Sequence, residues 1–287
     1  MQNQVERVDA FDGLPESERP AQAAEAQTAL NLLVVGADAP EGGVSRTDTI
    51  MLVHLPANRE HAQIISVPRD TWTRIPGSPD GSRGATQAKI NAAYAWGGFP
   101  LLIRTVENFT GVRIDHVLRI DLAGFGKIID ALEGVDVSVD RPFTTRGRTY
   151  PPGLHHMDSA VALDFARERK QFIDGDFSRM RHQQAIVVAV LQKASRIDVL
   201  SNPTRLDDFL RATAGAVQAD RKLSVFDLAW GLRQMDSADL TMLTSPSKGT
   251  GMVGDQSVVF PDLTAAAGLY TAVRTDSMDN WLSENPQ

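Results

Sequence analysis

The sequence predicts an α/β fold in which helices flank a mixed central sheet. Three observations carry this: short apolar runs of strand length, amphipathic stretches of helical period, and their interleaving along the chain from about residue 29 onward. With 287 residues, 42% of them hydrophobic, the chain has enough apolar surface for one large domain or two small ones. The first 28 residues are rich in Glu, Gln, Ala and Pro and lack a sustained apolar period. They read as a low-order stalk or linker, which leaves residues 29–287 as the folded domain.

Residues 29–35 (ALNLLVV) form an apolar run ending at Gly36, the pattern of a buried strand followed by a turn. Residues 49–55 and 63–67 are two further strand-like runs joined through Pro56-Ala57-Asn58-Arg59, which predicts a hairpin. Leu101, Leu102, Thr105, Val106 and Phe109 recur at helical spacing, and Gly111 is placed to stop that helix. Residues 116–121 read as a strand, 124–132 as a helix ended by Gly134, and 135–139 as a strand. Residues 141–156 hold three Pro and two Gly with little periodicity and read as a long functional loop. Asp158 or Ser159 is placed to cap a helix through Ala166, and Asp176 to cap one running from Phe177 to about Ser195. Met180, Val187, Leu191 and Ala194 are the expected core face of that second helix. The tail adds a helix over 225–235, a strand over 240–244 and a helix over 263–274.

Composition narrows the chemistry. Lys and Arg number 29 against 36 Asp and Glu, a net charge of −7, which disfavours a nucleic-acid partner because phosphate backbones are held by a positive excess. Cysteine is absent, so thiol nucleophiles, thiolate metal sites and disulfides are all excluded. The longest apolar run, residues 185–191, is far short of the ~18 residues of a membrane span, and residues 1–27 are too polar for a signal peptide.

Asp38 follows the first strand and Asp48 precedes the second, so both carboxylates are expected at one edge of the sheet. Magnesium suits such a pair, with manganese as the substitute, since it takes one or two carboxylates and completes its shell with water and phosphate oxygens. Asx turns in the Gly-rich stretch 36–43 account for the same two residues. Arg46 and Arg69 stand at ends of the same strands, with Pro68 ending the ladder and presenting Arg69 where α/β sheets bind ligands. A surface pair between Arg69 and Asp70 is the competing reading. Between residues 167 and 182 five cations (Arg167, Arg169, Lys170, Arg179, Arg181) face three acids (Glu168, Asp174, Asp176), a local positive excess in an acidic chain. Asp176, Arg179 and Gln183 share one helix face, and guanidinium forks suit a pyrophosphate, although a solvated charged face would look the same.

Taken together, Leu33-Val34-Val35-Gly36-Ala37-Asp38, Arg46-Thr47-Asp48-Thr49, Ser66-Val67-Pro68-Arg69-Asp70, Lys89-Ile90-Asn91-Ala92-Ala93-Tyr94, Gly134-Val135-Asp136-Val137, Arg167-Glu168-Arg169 and Asp176-Phe177-Ser178-Arg179 resemble the LytR-CpsA-Psr family in order and spacing. The resemblance implies a magnesium ion at Asp38 and Asp48, and a pyrophosphate held by Arg69, Lys89, Arg167, Arg169, Arg179 and Gln183. It also implies a polyprenyl tail in an apolar tunnel that Leu102 and Val106 would help to line. His182 departs from the pattern, which has Arg before the Gln pair. Members act at the extracytoplasmic face of the bacterial membrane and carry an N-terminal membrane helix, which this sequence does not contain. The implied activity is transfer of a glycan phosphate from a polyprenyl-pyrophosphate carrier to peptidoglycan. Two alternatives need the same residues: a polyprenyl-pyrophosphate pyrophosphatase, and a non-catalytic binder of lipid-linked precursors. Asp70 and Asp176 are both candidate bases, but Asp70 can equally orient Arg69 and Asp176 can equally cap its helix.

Overall fold

The computed structural model describes residues 5–26, 28–37, 47–78, 80–168, 170–172, 175–194, 203–224, 235 and 239–286. In chain order the strands are β1 (Glu6–Val8), β2 (Leu30–Ala37), β3 (Thr47–Leu55), β4 (Ala62–Ser66), β5 (Trp72–Ile75), β6 (Thr86–Lys89), β7 (His116–Ile120), β8 (Val135–Val139), β9 (Phe143–Thr145), β10 (Arg148–Tyr150), β11 (Gly153–Met157), β12 (Val217–Asp220), β13 (Leu240–Thr244), β14 (Ser247–Val253) and β15 (Gln256–Pro261). The described helices are α1 (Ala92–Thr110), α2 (Leu122–Ala131), α3 (Ser159–Arg167), α4 (Gly175–Ala194), α5 (Pro203–Ala216), α6 (Leu263–Arg274) and α7 (Met278–Glu284). A seven-stranded mixed sheet runs in the order β1-β12-β7-β2-β3-β4-β13.

The chain divides into two compact units. The sheet unit comprises residues 7–118, 220–223 and 241–287, and the helical unit residues 1–6, 119–219 and 224–240; β1, β7 and β12 contribute residues to both.

In the sheet unit β2, β3 and β4 are antiparallel neighbours. Their alternating side chains Leu33, Val35, Leu52, Ile50 and Ile65 form one apolar face, onto which α1 and α6 lay Leu102, Val106, Leu269 and Val273. Burying these faces is the main stabilising term of the unit. Gly36 does not make the expected turn; it continues β2, where a Cβ would come within 2.9 Å of Thr49 Cβ. The register slips after Gly36, so that Thr49 pairs with Gly36 and Thr47 with Ala37 while Asp48 is the extra residue of a bulge. Helix α1 ends, as expected, at Gly111, whose φ of 69° and N–H bond to Glu107 O make a left-handed cap.

Residues 5–26 are not a low-order stalk. Ala10 is buried in the core, Phe11 and Leu14 pack against it, and two short 3-10 turns cover residues 16–18 and 24–26. The tie is polar as well as apolar: Arg19 donates to Glu107 Oε1 at 2.7 Å and to the Ile114 carbonyl, while Glu107 is only 2% exposed. Composition alone misses this because the segment borrows its partners from a distant helix.

In the helical unit α2 packs on α5 and α3, and α4 packs on α3 and β8. Gly124 permits the first contact, since a Cβ there would meet Ala216 Cα at 2.7 Å. Asp158, not Ser159, caps α3 by accepting the Val161 N–H at 2.8 Å. The expected loop over 141–156 is largely strand: β9 pairs with β10, and β11 pairs with β8 from Gly153↔Val139 to Met157↔Val135. These strands are too short and too broken by Pro and Gly to show a two-residue period. The helix expected over 225–235 lies outside the described residues, apart from residue 235.

Candidate functional site

Four charged side chains meet in the sheet unit where β3 begins and β4 ends. Arg69 Nη1 bonds to Asp48 Oδ1, and Arg69 Nε lies 3.6 Å from Asp70 Oδ2. Lys89 Nζ lies 3.1 Å from Asp70 Oδ1. All four are partly exposed, with side-chain exposures from 18% to 31%, so their charges remain accessible to a ligand. The bulge aims Asp48 towards Arg69, and Pro68 ends β4 so that Pro68–Thr71 turns tightly, with Thr71 N–H donating to Pro68 O at 2.9 Å.

This turn is held from two directions. Asn91 N–H donates to Arg69 O and Ile90 N–H to Thr71 O, at 3.2 and 2.9 Å. Ser245 N–H donates to Ser66 O and Val259 N–H to Asp70 O, at 2.8 and 2.9 Å. Tyr270 in turn donates its buried hydroxyl to Ser245 Oγ at 2.7 Å. Lys89, weak as a sequence signal, is brought to Asp70 by the β5–β6 ladder, which pairs it with Trp72. Neither that ladder nor Ser245 and Val259 was visible in the sequence: β5 and β6 are four residues each, and the latter two act through backbone N–H groups that any residue could supply.

In the helical unit, Arg167 ends α3 and is exposed. On α4 the face carrying Arg179 and Gln183 is buried: Arg179 is 5%, His182 1% and Gln183 6% exposed. Of the four residues expected to form the core face only Met180 is fully buried. This face is turned towards the C-terminal end of α3, whose last carbonyls accept from it. His182 Nδ1 donates to Phe165 O at 3.1 Å, and Gln183 Nε2 to Ala166 O at 3.5 Å. The His182 ring stacks on Phe165 with centroids 4.0 Å apart and meets Phe172 edge-on at 4.8 Å. Arg181 turns outward to Asp140, at 3.3 Å, and to Ser178. Asp140, 41 residues away in sequence, was invisible as its partner.

Asp38, Arg46 and Arg169 lie outside the described residues, as does the side chain of Asp176. Leu102 and Val106 are each 0% exposed within the core of the sheet unit. There they fasten α1 to the sheet.

Of the two carboxylates expected to hold a metal, only Asp48 is among the described residues. Among the described residues no group of three His, Cys, Asp or Glu is placed to hold a metal. A magnesium ion needs only one or two carboxylates, and Asp48 is one, partly exposed at the start of β3.

Comparison with known proteins shows the family. The LytR_cpsA_psr family model matches residues 2–274. TagU of Bacillus mycoides, a polyisoprenyl-teichoic acid–peptidoglycan teichoic acid transferase, is 36% identical over 173 residues, or 60% of this chain and 55% of its own length. The chain thus spans little more than half of that relative. TagU of Halalkalibacterium halodurans is 36% identical over 210 residues, 72% of this chain and 65% of its own. The crystal structure of B. subtilis TagV superposes with a TM-score of 0.73 at 25% identity, covering 88% of this chain and 98% of that one. By its sequence over nearly the whole length and by its fold, the chain belongs to the LytR_cpsA_psr family.

Proposed function

We propose that the chain is a phosphotransferase that moves a glycan phosphate from a polyprenyl-pyrophosphate carrier to peptidoglycan, at the extracytoplasmic face of the membrane where that polymer lies. The observation that carries this reading is the convergence of Arg69, Lys89, Asp48 and Asp70 at partly exposed strand ends, in a chain whose relatives are named for such transfer. A hydroxyl of the acceptor sugar attacks the glycan-side phosphorus, the bridging P–O bond to the carrier breaks, and polyprenyl phosphate leaves with the electron pair while the hydroxyl proton passes to solvent. Arg69 and Lys89 supply positive charge where negative charge grows on the phosphate oxygens. Asp70, engaged by both cations, orients them. Magnesium, held by Asp48 and Asp38, would add charge neutralisation at the same oxygens.

The test follows a labelled prenyl-pyrophosphate-linked glycan into peptidoglycan. Arg69→Ala is expected to lower the rate at least about a hundredfold, the scale for loss of one transition-state charge contact. Its melting temperature should hardly move, because partly exposed ion pairs contribute only about 0–1 kcal/mol. Arg167→Ala is expected to lose transfer in the same way. Full turnover by Arg69→Ala, or label released only into water by the wild type, would overturn the reading.

A further inference from the structure

The β5–β6 hairpin that brings Lys89 to Asp70 carries a row of polar side chains on from it. Its ladder pairs Trp72 with Lys89 and Arg74 with Gln87, so these four side chains stand on one face. The other face carries Ile75, buried in the core, and Ala88, packed against it, so the face of Trp72 and Arg74 is the outer one. Along it Trp72 and Lys89 are half-buried, and Arg74 and Gln87 are exposed. At the candidate site Arg69 and Lys89 are balanced by Asp48 and Asp70. Arg74 is not balanced: among the described residues its guanidinium makes no ion pair or hydrogen bond, and the residue opposite it is a neutral amide. The hairpin offers it no free carboxylate either. Residues 71–89 hold Arg74, Arg83 and Lys89 against Asp80 alone, whose carboxylate accepts the N–H and the hydroxyl of Ser82 at 3.0 and 2.8 Å.

We propose that Arg74 and Gln87 form a second anion subsite, which takes a phosphate carried on the donor's glycan while Arg69 and Lys89 hold its pyrophosphate; this rests on the phosphotransferase reading above. A guanidinium fork binds phosphate oxygens through paired N–H groups, and the Gln87 amide adds a neutral donor from the facing strand. Two residues of strand, about 7 Å, separate Arg74 from the Trp72–Lys89 pair, so the two cations suit a ligand with two anionic groups better than a single phosphate. The row runs outward from a pyrophosphate contact, so its occupant is the part of the molecule bonded to that pyrophosphate, the donor's glycan. No bond is made or broken at Arg74. The residue determines which donor is preferred and takes no part in the transfer step.

The experiment uses the full chain, solubilised peptidoglycan strands as acceptor, and two prenyl-pyrophosphate-linked glycans that differ only in a phosphate on the sugar. The wild type is expected to show the lower KM for the phosphorylated donor. Arg74→Ala should raise that KM about fivefold, the upper end for an exposed ion pair, with kcat and the KM for the unphosphorylated donor retained. Arg74→Lys should recover part of the loss, and added salt should narrow the difference between the donors. Titration with a glycerol-phosphate trimer, free of lipid and pyrophosphate, should shift the amides of residues 72–74 and 87–89 in the wild type but not in Arg74→Ala. Equal donor KM values in the wild type, or a change confined to the acceptor KM in Arg74→Ala, would overturn the proposal. If the wild type transfers neither glycan, the phosphotransferase reading fails on its own. The trimer titration then still decides whether Arg74 binds an anion.

Discussion

Arg69 and Glu107 show how differently one charge pair can serve a protein. Arg69 is shared between Asp48 and Asp70 in partial contact with water, so its pairing fixes direction more than it adds stability. Glu107 is almost fully buried, and Arg19 supplies the guanidinium without which its charge would be costly. Asp220 belongs to the second kind. It accepts N–H groups from Val117, Lys222 and Leu223 and lies 3.1 Å from His116 Nδ1. Burial alone would push its carboxyl up, but the His116 bond and these backbone donors outweigh that and hold it below the ordinary 3.8. The unfolded chain therefore takes up the proton first on acidification. Asp220 contributes stability that is complete above about pH 3.8 and is lost as pH falls through its lower folded value. Asp220→Asn is expected to be less stable near neutral pH and to lose less of its remaining stability in acid. Urea midpoints from about pH 6 down to about pH 3 would check this, and parallel curves for the two proteins would contradict it.

At the scale of elements, α1 joins the candidate site to the core. Its first turn follows directly on Lys89-Ile90-Asn91, and non-helical Gly97 and Gly98 then kink it, so that the segment from Phe99 onward follows the sheet. The apolar spacing in the sequence marked the helix only from Leu101, since Gly97-Gly98-Phe99-Pro100 interrupts the pattern before it. The far end was legible, since only a left-handed residue closes the cap at Gly111. Gly111→Ala should cost about 1 kcal/mol of unfolding free energy, with transfer activity unchanged because the cap lies at the opposite end of α1 from Lys89. Denaturant titration read beside the transfer rate checks both halves. On α4 the charge pattern pointed to the correct face for Arg179 and Gln183 but not to its burial, which α3 imposes by ending against it.

At the scale of the whole molecule, the segment over residues 5–26 is the largest departure from expectation. Arg7 donates to the carbonyls of Asp220 and Leu223, Ala10 enters the core, and Arg113 and Arg104 pair with Glu16 and Glu18. Deleting residues 1–26 would strip Glu107 of its guanidinium at a cost of about 3–5 kcal/mol, a large part of the roughly 5–15 kcal/mol available to a domain. The expected outcome is a sharp fall in melting temperature and in soluble yield, with Arg19→Met reproducing part of the effect. A trimmed chain melting like the full one would show that the arm is dispensable.

The α/β class, β2 to β4 with their hairpin, the end of α1 and a cap for α3 at Asp158 or Ser159 were determined by the sequence itself, because apolar period, turn residues and capping act between near neighbours. So was the set of charged residues from which the candidate site is drawn. Only the tertiary structure decided which of them meet: Arg69 reaches Asp48 across 21 residues, and Arg19 reaches Glu107 across 88. It also decided that Leu102 and Val106 are core and that the stalk is part of the sheet unit. Such pairings depend on strand register and helix packing, which are settled when distant apolar faces are buried together and leave no periodic trace in the chain.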